Sequence, residues 1–378
     1  MLKKNTVGKT LLLSSILAAI SSPVIAGGKI SIDDTKWISF GAGLRTSIAS
    51  VGDSAPDGSN ATEFNLENAR LYISAQATED FKVYFGTDKM WGEYGVLDAI
   101  VQYEPSKSFN VWMGRMLVPA DRIEMNGPFY GLTWGQYTVP LYPSDNDISN
   151  GANGLAGTYG RDEGVTIWGT SGKFQYAFGL FDGYTGDANQ GDELLFATRL
   201  AYNFLENESN PGYYTSSTYY GKGGDIFTLA VSAQYQDDGY GTVTESGSFK
   251  GYAVDAFFEK PLEGGSAITV EAEFKSFEVD TTAATPDFAM FDGDAYFASF
   301  AYLIGSDTGA GQYQPYVRFT ENSPTVGLSS DLTEVGLNYV ISGHNTRINF
   351  NVTDGDANAS GNAGTDSTSF LIGMQVQI

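Results

Sequence analysis

Phe370-Leu371-Ile372-Gly373-Met374-Gln375-Val376-Gln377-Ile378 ends the sequence, and its apolar residues fall at almost every second position. Phe370, Ile372, Met374, Val376 and Ile378 share one face of an extended strand. Ser369, Gly373, Gln375 and Gln377 share the other, and only Leu371 breaks the alternation. Successive side chains of a strand point to opposite faces, so this stretch presents one apolar and one polar surface. Phe227, Leu229, Val231, Ala233 and Tyr235 repeat the pattern against Thr228, Ser232, Gln234 and Gln236. So do Ile348, Phe350 and Val352 against Arg347, Asn349 and Asn351, and Ile268, Val270, Ala272 and Phe274 against Thr269, Glu271, Glu273 and Lys275. Charges at strand centres decide the architecture. In a sandwich the inner face is dry, and the alternation has to be apolar inward. In a transmembrane barrel the apolar face turns to lipid and the polar face to a wet lumen, which places Glu273 and Lys275 in water instead of burying them.

Working outward, period-two segments of about ten residues recur from Trp37 onward, separated by Gly, Asn, Asp and Ser clusters. They predict an all-β, antiparallel transmembrane barrel of about sixteen strands. The strands fall near residues 37–49, 64–77, 81–91, 94–104, 109–117, 163–169, 173–182, 193–205, 225–236, 249–259, 266–278, 293–304, 312–320, 332–341, 345–353 and 367–378. Connections after the odd-numbered strands are mostly long and those after the even-numbered strands mostly short, as in outer-membrane barrels with external loops and periplasmic turns. Asn153 and Asp356 then lie outside, Lys107 and His344 on the periplasmic side. Two joints fit badly: Trp91 to Tyr94 is short for an external loop, and Leu205 to Gly224 is long for a turn. The longest excursion, Pro119 to Asp162, is expected to fold inward and narrow the lumen, with Phe129, Tyr130, Trp134 and Tyr137 as anchors.

At the other end, Lys3, Lys4 and Lys9 precede an apolar run from Leu11 to Ile20 and then Ser21-Ser22-Pro23-Val24-Ile25-Ala26. Residues 1–26 read as a cleavable secretory leader and 27–378 as the barrel domain, exported through the periplasm to the outer membrane of a Gram-negative cell. The run is too short to span a bilayer as a helix. With no Cys and one His, thiolate zinc sites, Cys nucleophiles and covalent haem are excluded. A formal charge of -24 excludes nucleic acid as a partner. Tyr (23) and Phe (24) make the chain aromatic-rich, as interfacial girdles require.

Between Asn68 and Gly183 several short motifs occur in order: Asn68-Ala69-Arg70-Leu71-Tyr72-Ile73, Leu97-Asp98-Ala99-Ile100-Val101-Gln102-Tyr103, Gly114-Arg115-Met116-Leu117-Val118-Pro119, Gly160-Arg161-Asp162-Glu163-Gly164-Val165 and Tyr176-Ala177-Phe178-Gly179-Leu180-Phe181-Asp182-Gly183. In these the chain resembles the phosphate-selective porin O and P family of outer-membrane channels; the C-terminal half matches mainly in barrel pattern. The resemblance implies a trimeric sixteen-stranded porin for passive diffusion of small hydrophilic solutes, its lumen lined by Arg and Lys that attract anions such as phosphate. It implies outer-membrane lipid and lipopolysaccharide as surroundings and a homotrimer as assembly.

Strand parity turns Arg45, Arg70, Lys82, Arg199, Lys275, Arg318 and Arg347 inward and leaves Arg122 and Arg161 on the long loop. Arg115 has outward parity. These basic residues would give anions successive sites that replace hydration without trapping. The chain departs from the family by turning Asp88, Asp98, Asp255, Glu271, Glu273 and Glu334 inward too, and by placing Asp121, Glu124, Asp145, Asp147, Asp162 and Glu163 on the loop. It also ends in Ile378, where such barrels commonly end in Phe.

Two other functions compete. A barrel enzyme would need an acid–base pair, and His344 stands in a turn with no Asp or Ser strand beside it. A sheath or adhesin would act through external loops such as Asp280 to Asp292 and Thr353 to Asp366, where Asp354, Asp356 and Asp366 read as solvated acids and not a calcium site. No cofactor, resident metal or catalytic residue is expected.

Overall fold

The computed structural model describes residues 27–90, 93–140, 160–186, 188–280, 291–305 and 311–378. The leader, Trp91, Asp145, Asp147 and Asn153 lie outside them. After a short β1 (Gly28–Ser31) come β2 (Trp37–Val51), β3 (Ala61–Gln76), β4 (Phe81–Met90), β5 (Glu93–Tyr103), β6 (Asn110–Leu117), β7 (Arg161–Ser171), β8 (Phe174–Phe181) and β9 (Leu195–Asn203). The second half holds β10 (Ile226–Gly241), β11 (Ser246–Pro261), β12 (Ala267–Asp280), β13 (Gly293–Leu303), β14 (Gln312–Pro324), β15 (Ser330–Ser342), β16 (Thr346–Gly355) and β17 (Ser367–Gln377). From β2 onward each strand pairs antiparallel with the next, and β17 returns to β2 through Phe370↔Ser50 to Gln377↔Gly43. The sixteen expected strands are those of a closed barrel, which leaves no unpaired edge. β1 adds four residues along β2, from Gly28↔Phe40 to Ser31↔Trp37, beyond the end of β17.

Alternation sorts the two faces as the sequence predicts. Phe40, Leu44, Ile48, Phe178, Leu229, Val231, Phe300, Phe350, Ile372 and Met374 are all exposed on the outer face, an apolar belt of the kind that meets lipid. Aromatics gather where the belt ends, with Tyr202 edge-on to Phe204, Phe204 stacked on Phe227, and Tyr313 packed against Tyr339.

One loop is shorter than its sequence suggests. The ninth connection was expected to run from about residue 237 to 248, yet β10 continues to Gly241 and β11 starts at Ser246, leaving a tight turn closed by Thr242 and Glu245. Asp237, Asp238 and Gly239 hide the continuation, because Asp238 adopts φ 51° and the register shifts between Gln236 and Tyr240. That bulge absorbs the extra residues and breaks period two.

The joint that fitted badly as a turn is explained by its path. Residues 204–225, between β9 and β10, enter the barrel from the end opposite the β6–β7 excursion. Both segments run inside the barrel, where they meet inward side chains and each other.

Candidate functional site: a lumen bridged by two inward segments

Leaving β6, the excursion follows the inner wall as far as it is described, and its carbonyls take donors from inward side chains on strand after strand. Gln234 reaches Pro119 O at 3.3 Å and Arg199 reaches Ala120 O at 3.0 Å. Gln375 donates to Phe129 O at 2.9 Å, Arg347 to Gly131 O at 2.5 Å and Asn338 to Leu132 O at 2.9 Å. Arg45 donates to Trp134 O at 2.7 Å, Arg318 to Gly135 O and Gln136 O, and Lys275 to Pro140 O at 2.9 Å. Loop carbonyls buried in a barrel have to find donors, and the inward Arg, Lys, Asn and Gln provide them.

Of the four loop aromatics, Phe129 and Trp134 anchor against the wall as expected. Phe129 is fully buried beneath Arg70, whose guanidinium carbon is 5.3 Å from the ring, and Trp134 lies 4.1 Å from that of Arg45. Both seats depend on glycines that parity alone did not single out. A Cβ on Gly43 of β2 would stand 2.7 Å from the Phe129 ring, and one on Gly373 of β17 2.5 Å from the Trp134 indole. Glycine within a strand marks a close approach, and that was the available signal.

The second segment meets the first inside the barrel. Thr215 N donates to Met125 O at 3.0 Å and Ser217 N to Tyr130 O at 3.2 Å. Arg122 on the loop grips Glu208 of the inner segment through Nη1 at 2.8 Å and Nη2 at 2.5 Å, while its Nε is 3.4 Å from Asp255 of β11. The pair is completed by Tyr219 O–H on Glu208 at 2.7 Å and by Arg199 bidentate on Asp255. Burial opposes charge on both partners. Even so, the facing guanidinium holds Glu208 below the usual carboxylate range, and Glu208 and Asp255 push Arg122 up. Around this centre Tyr213 and Tyr214 pack on Trp112 of β6, and on the other side His344, between β15 and β16, lies 3.1 Å from Phe129 O and 2.9 Å from Thr218 O. The two segments thus bridge the lumen from β6 to β16.

Every basic residue read as inward is inward, with several corrections. Glu273 and Lys275 were expected in lumen water; Lys275 is instead fully buried, 2.9 Å from Asp121 and 3.4 Å from Glu273, because the loop covers them. Arg161 opens β7 instead of lying on the loop, and binds Asp98 at 2.8 Å. Lys82 pairs with Glu104 near the end of β4, away from the bridge. Arg115, of outward parity, meets Glu163 at 3.1 Å on the neighbouring strand. Arg70 binds Asp88 at 2.7 Å and Arg318 binds Glu334 at 3.1 Å. Glu208 and the other inner-segment residues were not anticipated, since their wall and loop partners stand far along the chain, Arg122 86 residues from Glu208, Glu271 54 from Ser217 and Glu259 41 from Thr218, and leave no periodic trace.

No protein-family model and no curated protein matches the chain. Among solved structures it is similar to OmpT, an outer-membrane protein of Vibrio cholerae, at 13% identity and TM-score 0.55 over 92% of this chain and 100% of that one. It is also similar to Salmonella typhi OmpF, solved with daunomycin, at 12% identity and TM-score 0.56 over 93% and 100%. Pseudomonas putida OprB follows at 11% identity and TM-score 0.55 over 90% and 93%. The chain has a porin-like barrel fold. At such identities the likeness extends to the fold alone, and the charges inside this barrel have to be read on their own terms. They are interleaved around the wall: Arg70 faces Asp88, Arg161 faces Asp98, Arg199 faces Asp255, Lys275 lies beside Glu273 and Arg318 faces Glu334, while Arg45 and Arg347 bond loop carbonyls.

Proposed function

We propose that the protein is an outer-membrane porin, not an enzyme, and that it passes small hydrophilic solutes with a modest preference for anions, phosphate among them. The observation that carries this reading is that Arg45 and Arg347 turn inward onto loop carbonyls inside a closed barrel with an apolar exterior. Arg347 is the plainest case: its hydrogen bonds run to Gly131 O, Leu132 O and Gln375 Oε1, all neutral acceptors. Among the described residues no carboxylate bonds it, so its charge acts on a passing ion through its field and not by contact, since the side chain is fully buried beneath the loop. Carboxylates outnumber basic groups inside, but most stand on the β11–β12 side or are matched by a guanidinium. At physiological salt the screening length is about 8 Å, so the nearest charges outweigh the acidic total. Assembly as a homotrimer in lipid and lipopolysaccharide belongs to the same proposal; one similar OmpT structure is described as a trimer form.

The test is single-channel recording in a planar bilayer under a salt gradient. An anion-selective reversal potential is expected, reduced when Arg45 and Arg347 are both changed to Gln. A cation-selective potential that the double substitution leaves unmoved would overturn the assignment of selectivity to these arginines.

A further inference from the structure

The Arg122 site contains its own ligand. A planar guanidinium with two nitrogens turned to one carboxylate is the geometry by which arginine recognises a carboxylate in solution. Here that carboxylate belongs to Glu208, on a segment that enters from the end opposite Arg122's own loop. The two segments are held differently. The loop's carbonyls take donors from β2, β9, β10, β12, β14, β15, β16 and β17, whereas residues 204–225 are held by Tyr213 and Tyr214 against β6, by Tyr219 against Phe257, by Glu259 and Glu271, and by His344. Withdrawal of the inner segment leaves the wall and the loop track intact. It would expose Arg122, which is now completely buried.

We infer that Arg122 is a binding site for small carboxylate solutes, occupied in this structure by Glu208 as a tethered stand-in, and that a free carboxylate displaces Glu208 and releases residues 204–225 to open the lumen. This rests on the porin reading and names its solute class. The chemistry is exchange of one carboxylate for another, with no covalent step. Glu208 competes at the effective concentration of a short tether, on the order of millimolar, so the solute acts in that range. A dicarboxylate has an advantage, because Arg199 lies beside Arg122 and shares Asp255 with it.

The experiment uses the full barrel in planar bilayers, with chloride, phosphate or succinate at matched ionic strength. Wild type should show a low open fraction in chloride that rises with millimolar succinate and much less with phosphate. Glu208→Gln keeps the shape but loses the charge-assisted bonds; it should open about tenfold more often in chloride and lose its response to succinate. As the chain has no cysteine, Met125→Cys with Thr215→Cys can lock the segments by a disulfide, closing the channel until reductant is added. If succinate leaves wild type unchanged, or if phosphate opens it equally well, the carboxylate site is overturned while the channel stands. If Glu208→Gln and the reduced double-cysteine protein both carry no current, the porin reading itself fails.

Discussion

Changing Arg347 to Met tests whether the inward guanidinium groups hold the loop or merely face the lumen. Arg347 is fully buried and donates to Gly131 O at 2.5 Å, Leu132 O at 3.4 Å and Gln375 Oε1 at 3.2 Å. Methionine keeps most of the apolar stem but provides no donor. Leu132 O retains Asn338 at 2.9 Å, whereas Gly131 O loses its close charged partner. An unsatisfied buried acceptor costs about 1–3 kcal/mol, which corresponds to roughly a five- to 150-fold rise in the population with the loop undocked. The cost falls on the loop and not on the barrel, because the β15–β16 and β16–β17 ladders are backbone bonds that the substitution leaves in place. Hydrogen exchange in detergent should therefore show faster exchange at residues 127–138 by that factor and unchanged exchange in β15 to β17. Arg347→Lys should restore part of the protection. Unchanged exchange at residues 127–138 in the Met variant would refute the claim that Arg347 carries the loop, and equal loosening of β16 would show that it holds the wall instead.

Two further perturbations probe the same bridge. Gly373→Val puts a side chain against the Trp134 indole, an overpacking that costs about 1–3 kcal/mol, and should lift Trp134 from Arg45 and make it accessible to a soluble fluorescence quencher; unaltered quenching relative to a Trp134→Phe control would contradict the seating. Burial, then the nearby Arg347 charge, lower the His344 pKa to about 4, against the pull of the Phe129 and Thr218 carbonyls. Because the folded value is depressed, the undocked state binds more protons below the ordinary histidine pKa of about 6.5. The docked bridge should therefore be fully stable above that pH and lose about 1.4 kcal/mol per unit as pH falls toward 4, read as rising exchange at residues 215–219 and abolished by His344→Gln.

The wall was legible because lipid imposes one rule on every strand. From Trp37 to Gln377 an apolar residue is required at alternate positions, and β2, β12 and β17 obey it closely enough for parity to place Arg45, Lys275 and Gln375 correctly. Legibility failed where lipid exerts no such demand. Asp237 to Tyr240 lie toward the end of β10 and carry a bulge, so the strand continues without its pattern. The inner segment obeys no period because its contacts are single polar bonds to distant residues: Thr218 to Glu259, Ser217 to Glu271, Glu208 to Arg122. Tyr213, Tyr214, Tyr219 and Tyr220, in the stretch that the sequence marks only as long for a turn, pack on Trp112, Phe257 and His344.

The division between paired and unpaired charges inside the barrel follows from desolvation. A guanidinium taken from water is tolerated only if its hydrogen bonds are replaced, by a carboxylate or by several neutral acceptors. Arg70 with Asp88, Arg161 with Asp98 and Arg318 with Glu334 take the first course, and each pair is neutral to an ion passing nearby. Removing one partner would strand the other, so these pairs fix the wall and the loop ends. Arg347 takes the second course: Gly131 O, Leu132 O and Gln375 Oε1 accept from its Nη1 and Nε without cancelling its charge. Loop position and electrostatic character are therefore set by the same bonds. A movement that draws the loop away from β16 returns Arg347 to solvent with its charge intact, whereas the same movement at β3 leaves Arg70 still held by Asp88 on the neighbouring strand.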